Sequence, residues 1–254
     1  MNLSGKVIVV TGAGRGLGAA TVQRLASMGA RVVAGDIRKD WLDVTCQEAR
    51  TLGGEVVGVE VDVTDESSVD GLFDAARDHF GALYGLVTAA AVLKAGRLED
   101  VELAEWERTL KVNATGVFLC CRRAVREFRH RGTGGTIVNI GSISAIVGLP
   151  EQPAYCASKG AVLQLSRQIA IDYATYGIRC NVVGPGSIAG DFLDGYLRGQ
   201  ADPVAAEETI LTAHPMRRFA SADEIVAPVV FLLSEEAGFI TGANLQADGA
   251  YTAI

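Results

Sequence analysis

The run Val7-Ile8-Val9-Val10 is apolar at every position and opens directly onto Thr11-Gly12-Ala13-Gly14-Arg15-Gly16-Leu17-Gly18, after which residues 19–28 carry a helical pattern. A strand without polar alternation must be covered on both faces, as in a parallel sheet flanked by helices. A glycine-rich turn between such a strand and a helix lets backbone approach a pyrophosphate. The helix amino end adds unpaired NH groups and the positive end of its dipole. Gly12, Arg15, Gly16, Leu17 and Gly18 are therefore candidate cofactor contacts.

Similar β-rich runs recur at residues 31–35, 56–61, 83–88, 136–140, 178–183 and 245–247, with helical patterns between most of them. The alternation implies an α/β fold: a doubly wound, mostly parallel, seven-stranded sheet with helices on both faces and ligands beyond the carboxyl ends of its strands. No proline-rich, serine-rich or charged linker divides the 254 residues, so one dinucleotide-binding and catalytic domain over residues 1–254 is expected. Segments 103–129 and 157–176 are long for connecting helices. In the second, Ala161, Val162, Leu163, Leu165, Ile169, Ala170 and Ile171 cannot all face one sheet at helical spacing, which calls for a second buried face and favours a homo-oligomer.

A formal net charge of -7 opposes a nucleic-acid partner, and the basic group Arg122, Arg123, Arg126, Arg129 and Arg131 reads as one exposed face near a helix end. The chain reaches its first strand without a charged-then-apolar leader and has no apolar stretch of about 18 residues, so a soluble, cytoplasmic protein with no membrane partner is expected. Cys46, Cys120, Cys121, Cys156 and Cys180 lack CxxC spacing and read as buried free thiols. His79, His130 and His214 show no metal-ligand spacing, so no metal is expected.

Asp36 ends the second run, 18 residues past Gly18, near the separation at which an acidic group meets the adenosine ribose. Its carboxylate can accept from both ribose hydroxyls and would repel a 2′-phosphate, so NAD is favoured over NADP. Arg15 and Arg38 argue the other way, since either is placed to meet that phosphate.

Tyr155 and Lys159 are four apart in a helical pattern and so share a face. A nearby ammonium favours the phenolate and is expected to lower the tyrosine pKa from about 10. Ser142 lies just past the run 136–140, placed to hydrogen-bond a substrate oxygen and orient it. A serine hydrolase is disfavoured: no histidine lies near Ser142 and no GxSxG elbow is present.

Together, residues 11–18, Asp62-Val63, Asn113, Ser142, Tyr155 with Lys159, and Pro185-Gly186 resemble the short-chain dehydrogenase/reductase family from about Lys6 to Tyr251. The resemblance implies a Rossmann-type sheet and a catalytic tetrad of Asn113, Ser142, Tyr155 and Lys159. By it, Tyr155 is general acid or base, and Asn113 holds a water in a proton relay to Lys159. It places Asp62 and Val63 at the adenine and Lys159 on the nicotinamide ribose. Ala89, Tyr155, Pro185, Gly186 and Ile188 complete the implied cofactor contacts. A tetramer is the implied assembly.

Two departures from the family pattern stand out. Thr88-Ala89-Ala90-Ala91 replaces Asn-Asn-Ala-Gly, so Thr88 stands in for at most one asparagine and Ala91 lacks glycine's access to positive φ. Gly190 stands where a threonine commonly meets the nicotinamide carboxamide, with Ser187 and Asp191 as candidate substitutes. Residues 187–220, with Phe192, Leu193, Tyr196, Leu197, Met216 and Phe219, read as a short helical lid over a compact, poorly charged alcohol or ketone. The alternatives are an NADP-dependent ketoacyl-type reductase and a non-catalytic nucleotide-binding regulator.

Overall fold

The computed structural model describes residues 1–253. Seven strands alternate with helices: β1 (Val7–Thr11), α1 (Gly16–Ser27), β2 (Arg31–Asp36), α2 (Lys39–Thr51), β3 (Glu55–Glu60), α3 (Glu66–Phe80) and β4 (Leu83–Thr88) form the first half. The second half comprises α4 (Leu103–Leu110), α5 (Gly116–Arg131), β5 (Gly135–Ile140), α6 (Pro153–Tyr173), β6 (Ile178–Pro185), α7 (Asp191–Arg198), α8 (Pro203–Ala213), α9 (Ala222–Leu233) and β7 (Asn244–Ala247). The strand order is β3-β2-β1-β4-β5-β6-β7. Every pairing is parallel, so the sheet is wholly rather than mostly so.

Strand β1, the apolar run with Thr11, is buried at all five positions because both of its faces are covered. Ile8 and Val10 face a core built with Val22 and Leu25 of α1, Leu42 of α2 and Ile225 and Val229 of α9. Val7 and Val9 face the opposite core, with Leu72 and Phe73 of α3, Val125 and Phe128 of α5 and Val162 and Ile169 of α6. From β1 the chain winds outward to β2 and β3, then crosses to β4 on the other side of β1. The carboxyl ends of β1 and β4 flank this reversal, where an open α/β sheet leaves a crevice.

Segment 103–129 is not one regular helix. Residues Lys111–Thr115 form a π-helical turn between α4 and α5, closed by the Gly116 NH donating to the Lys111 carbonyl. Such turns insert one extra residue into a helix and concentrate at functional sites.

The arginine group of α5 is exposed at Arg126, Arg129 and Arg131, while Arg122 and Arg123 are partly buried. The Arg123 guanidinium donates to Asp70 at 3.0 Å, to Asp74 at 3.0 Å and to Glu127. Arg122 pairs with Glu66, and Arg129 lies 3.8 Å from the Tyr176 ring centroid. Acidic residues of α3, distant in sequence from α5, supply most of these partners.

Candidate active site

The glycine turn is tight enough to need its glycines. A Cβ on Gly18 would fall 1.9 Å from the Gly12 carbonyl oxygen, and one on Gly12 would fall 2.4 Å from the Ala90 nitrogen. Gly16 takes φ of 57°, in the left-handed region that favours glycine. The turn therefore lies flat on the backbone beyond β4, with the α1 amino end above it. That fits a dinucleotide pyrophosphate, which needs close backbone approach and unpaired NH donors.

Asp36, the last residue of β2, accepts from the Gly14 NH at 2.8 Å and the Arg38 NH at 2.9 Å. Each carboxylate oxygen keeps a free lone pair for a further donor. The two nearby cations are committed elsewhere: the Arg15 and Arg38 guanidinia lie 4.1 and 4.2 Å from the Trp41 ring centroid. Arg38 also makes two hydrogen bonds to Asp40, at 2.9 and 2.7 Å. Arg15 further reaches Asp191, at the start of α7, at 3.8 Å.

After β3, the Asp62 carboxylate accepts from the Thr64 NH at 2.8 Å, and its own NH donates to Ser68 Oγ at 3.0 Å, so Asp62 and Val63 face the cavity from a braced loop. Beyond β4, the Ala89 NH donates to the Thr11 carbonyl at 3.1 Å. The Thr88 hydroxyl turns away from the crevice and donates to Asn139 Oδ1 of β5 at 2.7 Å. Asn139 in turn donates to Ser166 Oγ of α6 at 2.8 Å. Ala91 does not take positive φ, so the altered segment is accommodated without strain there.

The four tetrad positions converge, each from a different local device. Asn113 sits in the π-helical turn, fully buried, exchanging hydrogen bonds with the Val92 backbone at 2.8 and 2.9 Å and donating to Ser158 Oγ at 3.1 Å. Both amide hydrogens are thereby used. Ser142 follows β5 and caps a short 3₁₀ turn, accepting from the Ser144 NH at 3.1 Å, which leaves its own hydroxyl hydrogen free to donate. That hydroxyl and the Tyr155 phenol line the same cavity. Lys159, 3% exposed, donates through Nζ to the Ile140 carbonyl at 2.8 Å.

Electrostatics at the pair differ from the sequence expectation. Burial pushes the Tyr155 phenol above its ordinary value, and the Ser142 hydroxyl offsets this only in part. Lys159 does not offset it; its ammonium donates to the Ile140 carbonyl, lies 5.5 Å from the Tyr155 ring centroid and is itself desolvated. Burial also pushes the Lys159 ammonium down to about 8.

One cavity of about 980 Å³ joins these parts. Gly12, Arg15, Gly16, Leu17, Gly18, Asp36, Asp62, Val63, Ala89, Ser142, Tyr155, Lys159, Pro185, Gly186 and Ile188 all line it, whereas Asn113 stands behind its wall. Segment 187–220 contributes two helices. Leu193 and Leu197 pack inward, the Phe192 ring approaches the Tyr155 ring at 6.2 Å, and Met216 points to solvent. Gly190 takes φ of 125° at the start of α7, a conformation side chains disfavour, which explains glycine in place of threonine. Asp191 turns outward toward Arg15. Trp41, Gln152, His214 and Tyr251 carried no sequence signal; their places depend on contacts between distant segments.

The model of the family described as enoyl-(acyl carrier protein) reductase matches residues 12–252. The chain is 36% identical to 2-(S)-hydroxypropyl-CoM dehydrogenase 3 of Xanthobacter autotrophicus, over 99% of its own length and 98% of that protein. It is 38% identical to cis-4-hydroxycyclohexanecarboxylate dehydrogenase of Sinomonas cyclohexanicum, over 98% and 97% of the two chains. Among solved structures, levodione reductase superposes with a TM-score of 0.95 at 31% identity, over 99% of each chain. Among the described residues, no helix is long and apolar enough to cross a membrane.

Proposed function

Since the chain belongs to the short-chain dehydrogenase/reductase family, we propose that it is an NAD(H)-dependent oxidoreductase interconverting a secondary alcohol and its ketone. One observation carries the reading: the Tyr155 phenol, one helical turn from buried Lys159, opens with Ser142 into the same cavity as the glycine turn and Asp36. The nicotinamide, when bound, supplies the hydride exchange with the substrate carbon.

The protein's own groups manage the oxygen. Ser142 donates a hydrogen bond to it and holds it beside the phenol. Tyr155 gives its proton to the oxygen in reduction and takes it back in oxidation. The raised phenol keeps its proton in the free protein, ready for reduction; in oxidation, the Ser142 hydroxyl and the positive charge of an oxidised nicotinamide favour the phenolate. Asn113 braces the loop after β4 against α6, and by family resemblance its place in the π-helical turn lets it hold a relay water beside Lys159. Helices α7 and α8 form the lid. Leu149, Phe192, Tyr196 and Ile210 give it and the facing wall an apolar surface suited to a compact, poorly charged substrate.

Asp36, with Arg15 and Arg38 held over Trp41, supports NAD rather than NADP. The description of the matching family model favours an acyl-carrier substrate as a second reading. A non-catalytic regulator fits less well, since the altered segment at Thr88 and Ala91 leaves the tetrad assembled. Outer faces of α6 and α5 leave Ile171 79% and Phe118 42% exposed, which supports a homo-oligomer, taken as a tetramer from family resemblance.

The test is Tyr155→Phe. The variant should keep NADH binding in a fluorescence titration while turnover on a secondary alcohol or ketone falls by about 10³-fold. Full turnover would overturn the role of Tyr155.

A further inference from the structure

His214 is 2% exposed at the carboxyl end of α8. Its Nδ1 lies 2.8 Å from the Ile210 carbonyl oxygen. A carbonyl only accepts, so Nδ1 carries the proton and the neutral ring has its lone pair at Nε2. Nε2 accepts the Ser187 NH at 3.1 Å. Both ring nitrogens are therefore used and the tautomer is determined.

The surroundings are shaped to admit this ring. A Cβ on Gly186 would fall 2.7 Å from Nε2, so the end of β6 leaves out a side chain where the imidazole enters. On its other side, the Tyr251 ring meets the imidazole edge-on, with centroids 5.0 Å apart. Tyr251 is held by a turn in which the Asp248 carboxylate accepts from the Ala250 NH, the Thr252 NH and the Thr252 hydroxyl. Ala250 takes φ of 68° in that turn, a conformation that costs an alanine free energy.

The Ser187 carbonyl accepts from the Ala220 NH at 3.0 Å. Both polar backbone groups of Ser187 are thus held by residues from the far end of the segment that departs there. Ser187 stands between Gly186 and Ile188, and all three line the cavity. We infer that His214 is a positioning residue: by holding the Ser187 NH it fixes the strand end Pro185–Ile188 against the dinucleotide and ties the lid helix α8 to that strand. The role toward the dinucleotide rests on the function proposed above.

Two substitutions separate the acceptor from the bulk of the ring. His214→Asn retains a donor for Ile210 but is too short to reach Ser187, whereas His214→Gln places an acceptor near the position of Nε2 and gives up the Ile210 bond. Hydrogen exchange of the peptide covering Ser187, in ligand-free protein, and fluorescence titration with NADH are the readouts. In His214→Asn, exchange at Ser187 should speed up and the NADH Kd should rise, each by about tenfold; in His214→Gln both should return to within about threefold of the native values. Native behaviour in His214→Asn, or equal losses in the two variants, would overturn the inference, the latter by showing that packing alone matters. If His214→Asn does not fold, Gly186→Ala displaces the ring instead and should reproduce the faster exchange; unchanged exchange there overturns the inference too. Native protein that binds neither NADH nor NADPH, while exchange still separates Asn from Gln, would remove the proposed function and the positioning role and leave a purely structural latch.

Discussion

Lys159 sits one helical turn from Tyr155 on α6, yet its Nζ donates to the Ile140 carbonyl at 2.8 Å and stands 5.5 Å from the Tyr155 ring centroid. The lysine thus anchors α6 to the end of β5 and brings a charge under the cavity floor, at the expense of its own hydration. Free of ligand, the protein carries that desolvation cost.

The cost should be visible as a pH dependence. An unfolded lysine titrates near 10.4, and Lys159 titrates at about 8 when folded, so between these values the unfolded chain holds a proton the folded one has lost. The penalty is full below about pH 8 and disappears as pH rises toward 10.4, a gain for the folded state of about 3 kcal/mol. Urea denaturation of ligand-free native protein and Lys159→Met should show the native protein gaining on the variant by this order from about pH 7 to pH 10. A difference that stays flat over that range would mean that Nζ titrates as an exposed lysine.

Asp36→Ala should narrow the preference for NAD over NADP, since the repelling charge is gone while Arg15 and Arg38 remain. The ratio of kcat/KM values for the two cofactors measures this, with a shift of at least about tenfold expected. An unchanged ratio would reject Asp36 as the discriminating group.

Trp41→Ala tests the other half of cofactor choice. Without the indole, both guanidinia lose the surface that holds them and become free to meet a 2′-phosphate. The KM for NADP should fall several-fold even with Asp36 in place. A KM for NADP that rises or stays put would show that the ring does not restrain the two cations.

Thr88→Val keeps the shape of the side chain and removes its hydroxyl, leaving Asn139 Oδ1 without its donor from β4. Thermal or chemical unfolding should register a loss of about 1–2 kcal/mol, with NADH affinity unchanged. Weakened NADH binding at native stability would instead place Thr88 in the cofactor site.

The strand-turn-helix junction and the Tyr155-Lys159 spacing were legible in the sequence because each is local: strand burial, the glycine turn and the four-residue helical repeat lie within a few residues of chain. Much of the remainder depended on partners remote in sequence. Arg123 reads as a solvated helix cation until Asp70 and Asp74 are brought beside it. The pKa of Tyr155 is set chiefly by burial under segments remote in sequence, which spacing does not specify. The sandwich of Arg15, Trp41 and Arg38 joins the glycine turn to the start of α2, and no motif marks it. The break at Lys111–Thr115 escapes a periodicity reading because a single π-helical turn shifts an apolar stripe without interrupting it.

That turn also limits how the chain can vary. A π-helical turn is wider than an α-helical one and takes up one extra residue within a single turn, so α5 keeps nearly the phase a regular helix lacking that residue would give. Excising one residue between Lys111 and Thr115 would restore a regular helix and leave Val125 and Phe128 in the core, but would draw Asn113 away from Val92 and Ser158. The extra residue thus serves the placing of Asn113 and not the packing of the helix, so its loss would be felt at the site while the fold survives.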